Sequence, residues 1–213
     1  MKQIQKIAVI GGGGRTGQYI INQLLPKGFQ LKLLLRNPET FTIQHPMLEI
    51  IKGDVLDPNV VRDLVEDCEA VISTVGQREN EPLVASAATQ NILTAIAAAR
   101  QPVRYIALAG LNVDTPFDKK GKDTQTATMW MQSNFPQIHE DRQKSYAILA
   151  QSEADWILVR VPFIVFSDEK QEISVSLEDS PGSKITAASI AAFMIDQLEC
   201  DEYLRKAPFI ANR

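Results

Sequence analysis

The sequence predicts an α/β fold: one doubly wound domain over residues 1–213, built on a parallel sheet, with small C-terminal elements on the substrate side. Three observations carry this. An apolar run, Ile7-Ala8-Val9-Ile10, gives way to four glycines, Gly11 to Gly14, and an amphipathic segment begins at once. Apolar runs of strand length then alternate with helical patterns along the chain, as in successive βαβ units. The 213 residues, 45% hydrophobic and 23% charged, suffice for one large domain with a full core.

The elements follow in order. Residues 6–10 read as a buried strand. Residues 18–25 carry Ile20, Ile21, Leu24 and Leu25 at helical spacing, and Pro26-Lys27-Gly28 ends that helix. A second strand over 29–35 ends at Arg36-Asn37-Pro38, and a third over 48–52 leads into Gly53-Asp54-Val55. Asp57 caps the next helix, with Pro58 at its first position and its end near residue 67. A fourth strand over 70–74 is followed by Val75-Gly76, a long alanine-rich helix over 82–100 and a fifth strand over 103–109. Residues 112–139 are expected to be a long irregular stretch, a functional or disordered loop. Beyond it come a helix over 140–152 with Tyr146 inward, a sixth strand over 154–162 and a short edge strand over 173–177. Thr186 caps a helix over 187–198, and a last short strand covers 207–210.

The totals exclude several classes. A net charge of −4 with no long basic stretch argues against nucleic acid as a partner. Cys68 and Cys200 lie far apart without a C-x-x-C, which reads as free thiols in a reducing compartment. No apolar run is long enough to span a bilayer, and no signal-peptide core precedes the first strand. The expectation is a cytoplasmic protein, a monomer or small homo-oligomer, with no bound metal.

The glycines carry the chemistry. Gly12, Gly14 and Gly17 match G-x-G-x-x-G, and Gly11, Gly14 and Gly17 match G-x-x-G-x-x-G. Between a strand and a helix, such a turn lets the backbone approach a pyrophosphate. The unpaired N–H groups and positive dipole end of the helix then face the anion. At the end of the second strand, dinucleotide folds that prefer NAD place an acidic residue on the ribose 2′-hydroxyl. Here the residue is Arg36, whose guanidinium can pair bidentately with a 2′-phosphate. Arg15 can reach the same side, so NADP(H) is expected rather than NAD. Asp54 suits either a hydrogen bond to the adenine amino group or a structural turn. Gly76 leaves room for the cofactor ribose. In residues 112–139, Phe117, Trp130 and the neighbouring methionines suit a flat apolar ligand, or equally a helix over the core or a subunit contact.

Taken together, Gly-Gly-Gly-Gly-Arg-Thr-Gly (11–17), Leu-Leu-Arg-Asn (34–37), Gly-Asp-Val-Leu-Asp (53–57) and Val-Ile-Ser-Thr-Val-Gly (71–76) form a recognisable series. Residues 155–162, Lys184-Ile185-Thr186 and Asp201-Glu202-Tyr203 continue it. The chain resembles the atypical short-chain dehydrogenases of the NAD(P)-binding NmrA-like group, Rossmann proteins, and among them the biliverdin-IXβ and flavin reductases. The resemblance implies hydride transfer from NADPH to a planar conjugated acceptor, a flavin or linear tetrapyrrole, with the flavin a substrate rather than a prosthetic group. It implies that Gly11, Gly13, Gly14, Arg15, Thr16 and Gly17 hold the pyrophosphate and that Arg36 meets the 2′-phosphate. Asp54 and Val55 would flank the adenine, Thr74, Val75 and Gly76 would line the ribose and nicotinamide side, and Pro162 and Phe163 would cover the nicotinamide.

There are departures from the family pattern. The Tyr-x-x-x-Lys pair of ordinary short-chain dehydrogenases is absent, because Lys144 has Glu140 four residues before it. The Ser that the related reductases carry after the fifth strand corresponds to Gly110, and their His to Tyr146. Tyr146 is therefore the candidate catalytic proton donor, against the alternative of a tyrosine packed on the sheet, and His139 is a second candidate. Trp130, Phe117 and Phe163 are candidates for stacking on the acceptor. The competing function is an NADP(H)-sensing regulator without chemistry, acting through a protein partner. A sugar epimerase or dehydratase would require the missing Tyr-Lys pair.

Overall fold

The computed structural model describes residues 4–78 and 80–213. Among the described residues, ten strands and six α-helices follow one another, beginning with β1 (Lys6–Ile10), α1 (Arg15–Leu24), β2 (Gln30–Leu35), β3 (Leu48–Lys52), α2 (Pro58–Val65), β4 (Ala70–Ser73), α3 (Ala85–Ala98) and β5 (Arg104–Gly110). The chain continues with α4 (Lys122–Asn134), α5 (Pro136–Gln151), β6 (Asp155–Val161), β7 (Phe163–Val165), β8 (Ile173–Ser176), β9 (Lys184–Thr186), α6 (Ala187–Asp196) and β10 (Phe209–Asn212). Eight strands form one sheet in the order β3-β2-β1-β4-β5-β6-β10-β8, and β7 pairs with β9 apart from it. Every pairing in the large sheet is parallel except that of β8 with β10. This is the doubly wound Rossmann arrangement.

A strand buried on both faces reads as a continuous apolar run, and β1 shows why. Its alternate side chains divide between two cores. Ile7 and Val9 join Ile20, Ile21 and Leu24 of α1 and Ile190 and Met194 of α6 on one face. Ala8 and Ile10 join Val61, Leu64 and Val65 of α2, Ile92 of α3 and Leu149 of α5 on the other. The expected caps form as read: Asp57 accepts a hydrogen bond from Asn59 N at the start of α2, and Thr186 accepts one from Ser189 N at the start of α6.

Residues 112–139 are the main correction. They hold α4 and the first turn of α5 rather than one irregular loop. The order of the segment before α4 has an electrostatic cause. Arg160 of β6 is 1% exposed, and such a charge is costly unless paired. Its guanidinium lies 3.5 Å over the Phe209 ring, 2.7 Å from Asp118, and donates to the carbonyls of Val113 and Ala207. Lys120 is 2.6 Å from Asp114 and 3.8 Å from Asp118, extending the network. The last strand is a second correction. It begins at Phe209 rather than residue 207, and it is an interior strand between β6 and β8.

Both cysteines are free, and Cys68 is buried against α2. Burial pushes its thiol up from 9.0 to about 11. A thiol that ionises near 9 in the unfolded chain but near 11 in the native one makes the native state hold its proton longer. That contribution is complete below pH 9 and is lost as pH rises through 11. Thermal denaturation of the wild type is expected to shift down steadily between pH 9 and 11. Cys68→Ala should flatten that slope, and an unchanged slope would assign the alkaline loss to other groups.

Candidate cofactor cleft

The chain runs outward from β1 through β2 to β3, then returns to β4 on the other side of β1. At that reversal the loops after adjacent strands part, and a crevice opens at the carboxyl ends. The cleft there has a volume of about 620 Å³, a size suited to a dinucleotide-scale ligand. The loops after β1, β2, β3 and β4 build its walls.

The glycine loop forms the floor. Gly11 sits at φ +83°, a conformation that side-chain-bearing residues rarely adopt, and a Cβ there would lie 2.8 Å from the Thr74 carbonyl carbon. Gly14 caps α1 without a side chain, its own N–H donating to the Gly11 carbonyl at 2.9 Å. The first turn of α1 contains no acidic residue, so nothing in it opposes an anion at the dipole end. Thr74 donates its hydroxyl to the Gly11 carbonyl at 3.2 Å, tying the end of β4 to this loop.

Arg36 stands just past β2, and two carboxylates face it. Glu81 takes its guanidinium in a bidentate pair, Nη1 to Oε2 at 2.7 Å and Nη2 to Oε1 at 3.0 Å, and Asp54 Oδ2 is 3.8 Å away. The hydrogen bond that Arg36 donates to Glu81 holds the Arg36 pKa above its ordinary value, and the same bond lowers that of Glu81. Asp54 also serves as a turn residue, its Oδ1 accepting from Leu56 N at 2.9 Å. Val55 lines the cleft while its carbonyl accepts from Asn91 of α3 at 2.9 Å. Val75 and Gly76 line it as well, and the Val75 carbonyl accepts from Arg142 of α5 at 2.7 Å.

The structure thus gathers Gly11, Gly13, Gly14, Arg15, Thr16, Gly17, Arg36, Asp54, Val55, Thr74, Val75 and Gly76 around one space. It leaves the remaining candidates outside. Pro162 is buried, and Phe163, 75% exposed on β7, does not line the cleft. Phe166, three residues on and past the end of β7, lines it instead, with the Arg15 guanidinium 4.0 Å from its ring centre. Arg15 is therefore engaged on an aromatic ring. Phe117 and Trp130 are exposed, outside the lining, and Trp130 packs edge-on against Phe135.

Tyr146 is half-buried and lies edge-to-face on Trp156 with ring centres 6.2 Å apart, outside the cleft. Burial raises its pKa, partly offset by the Arg160 charge. It sits one turn further along α5 than Arg142, the residue of that helix that reaches the rim. His139 is buried, 3.2 Å from Asn112 Nδ2 and 3.3 Å from Gln132 Nε2, and is likewise away from the cleft. Sequence reasoning missed Phe166, Glu81, Arg78, Phe41 and Arg142. Only Phe41 carried a usable signal, an aromatic shortly after the Arg36 strand end.

The family model described as NAD(P)H-binding matches residues 11–201 of the chain. Among curated relatives, cinnamoyl-CoA reductase 1 of Petunia hybrida is 25% identical over 146 residues, 62% of this chain and 43% of that protein. The chain spans less than half the length of the curated relatives it matches. Among solved structures, a candidate NADH-flavin reductase from Streptococcus pneumoniae superposes with a TM-score of 0.77 at 18% identity, covering 98% of this chain and 100% of that one. A short-chain dehydrogenase/reductase from Veillonella parvula in complex with NADP gives 0.77 at 16% identity, covering 99% and 95%. Since the matched span takes in the glycine loop, the loops that line the cleft and six of the eight strands of the large sheet, this protein belongs to the NAD(P)H-binding family, and it shares its Rossmann fold with these two solved structures.

Proposed function

We propose that the protein is an NADPH-dependent reductase that passes hydride to a flavin or a similar planar acceptor. The observation that carries the reading is Arg36, a guanidinium at the β2 end of the cleft, where an NAD-preferring site would place an acid. The glycine cradle fits the cofactor because Gly13 and Gly14 are exposed and line the cleft, and no carboxylate stands in the first turn of α1. Gly11 to Gly17 bind the pyrophosphate, Arg36 binds the 2′-phosphate, Asp54 and Val55 flank the adenine, and Thr74 to Gly76 line the ribose and nicotinamide side. Phe166 takes the covering role that the resemblance gave to Phe163. When bound, NADPH supplies the hydride.

The chain contributes position and exclusion of water rather than proton chemistry. No Tyr or His is among the described residues that line the cleft. A flavin suits such a site, since its proton can come from water, whereas a tetrapyrrole would depend more on a nearby donor. The same observation favours a second reading, an NADP(H) sensor without turnover. NADPH oxidation by the purified protein, with FMN, riboflavin and biliverdin offered separately and NADH for comparison, divides the two. The expected result is saturable turnover with a flavin and preference for NADPH. Tight NADPH binding with oxidation no faster than in buffer would establish the sensor.

A further inference from the structure

Arg36 is already occupied. Its planar fork can grip a carboxylate or a phosphate by the same two-point geometry, and in this structure the Glu81 carboxylate has both points. Glu81 lies in the wall of the cleft together with Arg78 and Gln77. Its position there is built. Gln77 Nε2 lies 3.0 Å from the carbonyls of Arg78 and Glu81 and 3.1 Å from that of Pro82, folding the backbone back so that Glu81 faces the end of β2. Arg78 Nη1 is 3.8 Å from Glu81 Oε1, so the carboxylate stands between two guanidiniums.

We propose that Glu81 is a specificity-determining residue, an internal stand-in for the 2′-phosphate that the ligand must displace from Arg36. The inference rests on the NADPH reading of the cleft and adds to it. A 2′-phosphate and Glu81 cannot hold the same guanidinium fork at once. When phosphate takes Arg36, Arg78 remains beside Glu81 as its partner, so the displaced carboxylate keeps a cation. A cofactor without the phosphate leaves the Arg36–Glu81 pair closed. Glu81 therefore lowers affinity for the phosphorylated cofactor and leaves the other untouched. It narrows the preference for NADPH that Arg36 alone would give. Asp54, 3.8 Å from Arg36, acts in the same sense more weakly because it is not hydrogen-bonded to the fork and is committed to its own turn.

The test uses fragments that carry no nicotinamide, so turnover is irrelevant. Calorimetric affinities of 2′,5′-ADP and 5′-AMP are measured for the wild type, Glu81→Gln and Arg36→Gln. Glu81→Gln is expected to tighten 2′,5′-ADP by about threefold to fivefold, the range an exposed ion pair commands, and to leave 5′-AMP unchanged. Arg36→Gln is expected to weaken 2′,5′-ADP alone. If Glu81→Gln leaves 2′,5′-ADP unchanged or weaker while Arg36→Gln still weakens it, the displacement idea fails and the phosphate site stands. Equal tightening of both ligands would mean a general charge effect and would also overturn it. If Arg36→Gln does not alter the ratio of the two affinities, the NADPH reading itself fails, and the inference with it.

Discussion

Arg36→Glu should weaken NADPH by about 100-fold or more and NADH by no more than about threefold. A charge-assisted hydrogen bond contributes about 1.5–3 kcal/mol, and a bidentate pair makes two. The substitution removes both and adds a third negative side chain to a corner that already holds Glu81 and Asp54. A 2′-phosphate entering there would meet repulsion from all three. NADH presents only a hydroxyl, which a carboxylate can accept, so its loss stays small. Dissociation constants for the two cofactors, measured side by side, decide the matter. An equal fall for both would remove the 2′-phosphate from Arg36 and with it the ground for NADPH.

The second large effect concerns the fold. Gly17→Val should lower the melting temperature by about 10 °C or leave the chain insoluble. A Cβ at Gly17 would lie 2.3 Å from the Gly11 carbonyl oxygen and 2.5 Å from Gly12 Cα. Both are backbone atoms, so no side chain can rotate away. The first turn of α1 would have to lift from β1, drawing Ile20, Ile21 and Leu24, all 0% exposed, out of their core. Overpacking of this kind costs about 3 kcal/mol or more. Gly14 provides the contrast. Its Cβ would meet only the Gly11 carbonyl oxygen, at 3.1 Å. Gly14→Val should therefore fold with a melting temperature near that of the parent while losing both cofactors. A Gly17→Val protein that melts like the parent would mean that α1 does not dock as described.

The parts of this protein that were legible in its sequence are those fixed by strong periodic or steric demands. The apolar runs of β1, β4 and β6 have no other place than a sheet covered on both faces. The glycine loop is legible for the same reason, since Gly11 and Gly17 each answer a local constraint. α4 was not legible because it buries only Thr124 and Thr128 and offers no apolar stripe to recognise. What orders its approach is Arg160, whose burial partners lie 42 and 47 residues away in sequence. Phe163 was assigned by resemblance alone and lies outside the cleft lining, whereas Phe166 is in it, and a three-residue strand leaves no periodic trace that would have pointed to Phe166. Glu81 reaches the cleft, and Arg142 reaches the Val75 carbonyl behind its rim, through tertiary packing alone, and no motif announces either.

Two adjacent residues of α5 have a consequence for how the molecule moves. Asp141 accepts the backbone N–H groups of Ala85 and Ser86 at the start of α3, and Arg142 holds the Val75 carbonyl on the cleft rim. One turn of helix thus fastens both ends of the segment that carries Glu81. Local opening of the rim would release the buried Asp141 and the half-buried Arg142 together, so residues near Val75 and the beginning of α3 are expected to exchange as one cooperative unit, and independent exchange rates would overturn that expectation. Between those fixed points the Glu81 side chain can change partners by a short swing, without any hinge in the sheet.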